Sequence, residues 1–223
     1  MWTLPNILTA SRILAAPIIA LAAMAPAGSA WTVFAFALFV VAALTDFFDG
    51  WIARRFDMRS GFGAMLDPIA DKVMAIVIFA VLIGMSASYH GAGTGALSEV
   101  PAILVAGPCL VMIVRELMVA GLREFIGGIR LAVTPLARWK TTVQLTAAGV
   151  LLFVHALPAI DMMTAPGTGG IPAHLALMPE PAYETELLMT ALVLLWLAMI
   201  LTVWTAFDYF KKGWPHVAAR KDA

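Results

Sequence analysis

The sequence predicts an all-α membrane protein of six transmembrane helices with both termini in the cytoplasm, and three observations predict it. Of its 223 residues, 62% are hydrophobic and 13% charged, more apolar surface than a soluble domain of that length buries. Six apolar stretches approach the roughly 17–25 residues that a helix needs to cross a bilayer: residues 6–25, 31–53, 64–85, 100–121, 139–157 and 187–210. The basic residues then sort the connectors. Arg54, Arg55 and Arg59 follow the second span, Arg123, Arg130 and Arg138 the fourth, and Lys211, Lys212, Arg220 and Lys221 the sixth. Connectors 26–30, 86–99 and 158–186 hold neither Lys nor Arg. Basic connectors stay on the cytoplasmic side, so an even number of spans returns both ends there. The expected organisation is one six-helix transmembrane domain, 1–212, with a short basic cytoplasmic tail, 213–223.

The first stretch carries Asn6, Thr9 and Arg12, and it ends in small residues that resemble a leader cleavage site. Arg12 lies inside the run, however, and no basic segment precedes it, which favours a retained span. The second stretch closes on Asp46, Asp49, Gly50, Ala53 and Arg54; the third opens on Asp67 and Asp71. Arg115 and Glu116 lie within the fourth, and Lys140 and Thr141 open the fifth. Connector 158–186 is rich in Pro and Gly and reads as a turn-rich tether. Trp2, Trp31, Trp139 and Trp214 near span ends suit an interfacial belt. His90, His155, His174 and His216 fall away from the acidic residues and read as solvated or interfacial.

A formal net charge of zero argues against nucleic acid, whose phosphates call for a basic excess. Cys109 is the only cysteine, so no intramolecular disulfide and no thiolate metal cluster exists. No internal repeat is evident, which weighs against an inverted-repeat transporter.

Ionisable groups inside a span cost roughly 2.5–3.5 kcal/mol each on insertion scales and so mark function by default. Asp46 and Asp49 end one span and Asp67 and Asp71 begin the next, which sets all four at one depth. At about 100° per residue, Asp46, Asp49, Gly50, Ala53 and Arg54 share one arc, and Asp67 and Asp71 at i, i+4 share a face. Four converging carboxylates in a low dielectric repel unless a positive charge sits among them. With no His or Cys nearby, oxygen-only ligation selects Mg2+ or Mn2+ over zinc, and two such ions can bridge phosphoryl oxygens. Gly50 and Ala53 leave room for a bulky group, and Arg54 offers a fork suited to phosphate.

Written out, these residues read D-x2-D-G-x2-A-R-x8-G-x3-D-x3-D, from Asp46 through Gly63 to Asp71. The pattern resembles the signature of the CDP-alcohol phosphatidyltransferases at every fixed position. The resemblance implies the six-helix CDP-alcohol phosphotransferase fold, a homodimer in the bacterial inner membrane, and an active site facing the cytoplasm. It implies Asp46, Asp49 and Asp67 as metal ligands and Asp71 as the general base that also touches a metal. Gly50, Ala53 and Arg54 would lie against the CMP moiety of CDP-diacylglycerol, with Asn6, Thr9 and Ser60 as further nucleotide or pyrophosphate contacts.

Within the family, the stretches Asn6 to Arg12, Ile113 to Glu116, Leu122 to Glu124 and Lys140 to Gln144 are similar to those of members that take sn-glycerol 3-phosphate as acceptor, giving phosphatidylglycerophosphate and CMP. Arg115, Arg123, Lys140 and Thr141 are then the candidates for the acceptor's phosphate. An internal ion pair between Arg115 and Glu116 is the competing reading of that residue. Two other functions stay open at this point: the same chemistry with serine, inositol phosphate or phosphatidylglycerol as acceptor, and a divalent-cation carrier or channel that uses the acidic cluster as its ion site.

Overall fold

A computed structural model of the chain describes residues 4–55, 61–89, 97, 100–126, 136–164 and 182–219. Six α-helices account for nearly all of them: α1 Leu4–Ala23, α2 Ala30–Arg55, α3 Gly61–Tyr89, α4 Ala102–Ile126, α5 Leu136–Thr164 and α6 Ala182–Ala219. The described residues include no strand. Five stretches are long and apolar enough to cross a membrane, and α2 contributes the shorter apolar run Ala30–Thr45 among its described residues. The chain is a multi-pass membrane protein. Residues 213–219, expected in the tail, continue α6 as helix.

The helices close into a ring. Going round it, α1 packs on α2, α2 on α5, α5 on α6, α6 on α4, α4 on α3, and α3 back on α1, with α3 and α5 also touching across the middle. Helix association in lipid draws on close packing more than on the hydrophobic effect, and small residues supply it here. Ala16, Ala35, Ala147, Ala191 and Ala198 are wholly buried. A Cβ on Gly149 would stand 3.1 Å from the Phe39 ring, and one on Gly213 would stand 2.9 Å from Ile126 Cδ1. A larger residue at either position would require the facing side chain to shift. Large apolar side chains such as Leu14, Leu21, Ile103, Val193 and Phe207 point outward instead, as lipid-facing surfaces do.

Turn and cap chemistry fixes the joins. Gly28 adopts a φ of 85° between α1 and α2, a left-handed conformation that glycine takes without strain. Ser29 then caps α2, its hydroxyl accepting from the Trp31 amide at 3.3 Å. In α4, Pro108 lacks the N–H that would bond the Leu104 carbonyl one turn back. Trp196 of α6 supplies the missing donor, its Nε1 lying 3.1 Å from that oxygen. His155, read from sequence as solvated or interfacial, is buried and hydrogen-bonds to backbone at Ala23 and Ala25. Its place on α5 turns it inward, against the C-terminal end of α1.

Candidate active site

The polar residues of α1 recur every three positions, so Asn6, Thr9 and Arg12 form one stripe along its N-terminal half. All three are buried, and the stripe meets the acidic face of α3. Thr9 donates its hydroxyl to Asp67 Oδ1 at 2.9 Å, and Arg12 Nη1 donates to Asp71 Oδ1 at 3.2 Å. Arg12 is 5% exposed and Asp71 61%, so a buried guanidinium anchors a carboxylate that reaches into open space. Pro68, between the two acids, removes the N–H that would bond the Ala64 carbonyl.

The other half of the acidic motif is carried by α2, which stays helical through Arg55. Phe39, Ala42 and Ala43 of α2 line a narrow cleft of about 80 Å3 together with Arg12 and Asp71. At helical spacing, positions 46, 49, 50 and 53 continue the stripe of 39 and 42. The side chains of Asp46, Asp49, Gly50, Ala53 and Arg54 lie outside the described residues, as does Ser60 altogether. Among the described residues no group of three or more candidate metal ligands assembles. The described part of the proposed donor set, Asp67 and Asp71, offers carboxylate oxygens alone, which suits a hard divalent ion.

Beyond Asp71 the cleft opens into a cavity of about 400 Å3 at the end of the bundle where α3 and α5 begin and α4 and α6 near their ends. Asp67, Asp71 and Lys72 form its α3 wall. Facing them, Arg115, Glu116 and Arg123 come from α4, and Lys140, Thr141 and Gln144 from α5. Thr205, Asp208 and Tyr209 of α6 complete the lining. Four cations and four carboxylates therefore border one space: Asp67 and Asp71 sit with Lys72 on α3, while Arg115, Arg123 and Lys140 of α4 and α5 sit with Glu116 of α4 and Asp208 of α6.

Much of this charge is already organised. Glu116 Oε1 accepts from Arg115 Nη1 at 3.0 Å and from the ammonium of Lys140. Arg115 Nη2 donates to Thr205 Oγ1 at 3.1 Å, and Gln144 Nε2 donates to Thr202 Oγ1 at 2.9 Å. The Arg123 guanidinium lies 5.9 Å from the centre of the Tyr209 ring, within cation–π range.

Six residues singled out from sequence thus border one cavity: Asp67, Asp71, Arg115, Arg123, Lys140 and Thr141. Thr9 joins them through Asp67, while Asn6 lies in the α1 stripe away from the cavity lining. Sequence reasoning missed Arg12, Lys72 and Glu116 as site residues. For Arg12 the signal was present, since it follows Thr9 by three positions inside an apolar span. For Glu116 no local pattern says that Lys140, 24 positions later, ends on the same oxygen.

A model of the CDP-alcohol phosphatidyltransferase family matches residues 2–207. The chain is 36% identical to the CDP-diacylglycerol–glycerol-3-phosphate 3-phosphatidyltransferase of Cereibacter sphaeroides, with 99% of each chain covered. It is 35% identical to the protein of the same name from Rickettsia bellii over 93% of each. With that of Escherichia coli K12 it shares 36% identity over 68% of this chain and 78% of the relative.

Proposed function

This chain belongs to the CDP-alcohol phosphatidyltransferase family, and we propose that it transfers the phosphatidyl group of CDP-diacylglycerol to sn-glycerol 3-phosphate in phospholipid biosynthesis. The products are phosphatidylglycerophosphate and CMP. The relatives' shared name supports the pair of substrates. The observation that carries the reading is a single cavity of about 400 Å3 that brings the carboxylates of α3 together with the cations Arg115, Arg123 and Lys140 of α4 and α5. An acceptor with a hydroxyl at one end and a phosphate at the other spans such a space.

Asp71 takes the proton from the acceptor's 1-hydroxyl, and the oxygen attacks the phosphorus that carries diacylglycerol in line with the departing CMP oxygen. One P–O bond forms as the pyrophosphate P–O bond breaks. Arg12 holds the Asp71 carboxylate in the orientation this needs, and Thr9 does the same for Asp67. Lys140 and Arg123 draw the acceptor's phosphate to the opposite wall. Asp46, Asp49, Asp67 and Asp71 are the residues to hold Mg2+ or Mn2+, two ions in the fullest occupancy; when bound, such ions neutralise pyrophosphate charge. Arg54, Gly50 and Ala53 accommodate the CMP moiety. The family resemblance further implies a homodimer in the bacterial inner membrane; that this cavity faces the cytoplasm is supported by the sorting of Lys and Arg among the connectors.

The deciding measurement is CMP release from CDP-diacylglycerol by purified protein with Mg2+ and a panel of alcohols. Glycerol 3-phosphate is expected to be the preferred acceptor. Indifference to it alongside turnover of serine, inositol phosphate or phosphatidylglycerol rejects the assignment, and cation uptake into proteoliposomes without CMP release rejects the enzyme altogether.

A further inference from the structure

We propose that Glu116 is a positioning residue for the acceptor's phosphate, holding the Lys140 ammonium at the cavity wall while being itself braced through Arg115 and Thr205. The inference rests on the functional reading above. A single oxygen, Glu116 Oε1, receives both Lys140 Nζ and Arg115 Nη1. The second terminal nitrogen of Arg115 is tied to Thr205 on α6, so the guanidinium is fixed on two sides. The side chains of Arg115, Glu116 and Lys140 are 12%, 17% and 7% exposed. Two cations brought together at such depth repel and lose hydration unless an anion lies between them. Glu116 is that anion whenever the cavity holds no acceptor.

Arg115 and Lys140 therefore differ in role. Arg115 is anchored at both terminal nitrogens, by Glu116 and by Thr205, so it braces the wall that it shares with Lys140. An ammonium carries three donors, and the bond to Glu116 uses one. Lys140 is the cation presented to the phosphate, beside Thr141 and within the same cavity as Arg123. Glu116 never needs to touch the acceptor; it acts through Lys140.

Steady-state kinetics on the full-length protein in mixed micelles, with both substrates varied, tests this. Glu116→Gln keeps the shape and removes the charge: the KM for glycerol 3-phosphate is expected to rise about ten-fold or more, while that for CDP-diacylglycerol stays within about two-fold. Lys140→Gln should raise the same KM, and E116Q/K140Q should be no worse than K140Q, because the two act as one unit. Glu116→Asp, which keeps the charge, should recover part of the loss. An E116Q acceptor KM near that of the wild type, or a double variant whose defect equals the product of the single defects, overturns the inference alone. A wild-type protein that releases CMP with another alcohol but not with glycerol 3-phosphate overturns the functional reading and this inference with it. Should E116Q not purify in folded form, E116D decides: a rise in the acceptor KM only supports the assignment, and no rise, or an equal rise in both, rejects it.

Discussion

Asp71 touches two environments at once, the narrow cleft between α2, α3 and α5 and the wider charged cavity. A residue at that junction is placed to accept a proton from a hydroxyl that enters from the charged side. Asp71→Asn is expected to lower kcat by about 10²–10⁴-fold, the usual worth of a general base, with CDP-diacylglycerol binding retained. Single-turnover CMP release alongside lipid-nucleotide binding checks it; full activity in the variant removes Asp71 from that role. Individual residues differed in how openly the sequence announced them. Asp67 and Asp71 were legible because charge in an apolar span is costly and their spacing is that of one helical face. Arg12 was equally conspicuous, but only the approach of α1 to α3 pairs it with Asp71. Met112 is wholly buried and its sulfur accepts from Gln144 at 3.2 Å.

At the scale of elements, helices meet where one repairs or accommodates another. Pro108 leaves an α4 carbonyl without its helical donor, and the Trp196 indole of α6 bonds it. Trp196→Phe keeps the ring and removes the donor, so it should lower stability by about 1 kcal/mol, read as earlier thermal inactivation in detergent with KM values unchanged. The same helix pair closes tightly at its other end, where Gly213 admits Ile126 and Leu122. Gly213→Leu should cost about 1–3 kcal/mol through overpacking and, by displacing α4 from α6 beside Arg123 and Tyr209, raise the acceptor KM as well. A Trp196→Phe defect confined to stability and a Gly213→Leu defect in both would separate the two joints. All six elements and the placement of their apolar runs were readable from hydropathy, because a span's length is set by bilayer thickness. Their ends were less so: α3 begins at Gly61 and α6 runs to Ala219, since a helix continues past the hydrocarbon for as long as its backbone bonds are cheap to make.

For the molecule as a whole, the ring of helices gathers its charged cavity at one end. Asp67, Arg123, Lys140 and Asp208 all border the cavity at one end, while the Gly28 turn packs near Met162 at the other. Wholly buried Cys109 makes the native chain a quiet background for maleimide labelling. Cysteines placed at exposed Met162 and Lys212 are expected to react from opposite sides of the membrane, Lys212 from the cytoplasm; labelling of both from one side would refute the alternating topology. The sequence by itself determined the solvent, the six helices among the described residues and, through the acidic motif, the family. Those properties are local: they depend on which side chains a stretch of about 20 residues puts into lipid and on spacing along one helix. Only the tertiary structure decided the order of helices in the ring, the pairing of Arg12 with Asp71, and the sharing of one Glu116 oxygen by Arg115 and Lys140. Those depend on which faces of distant helices meet, and no spacing within a single helix encodes that.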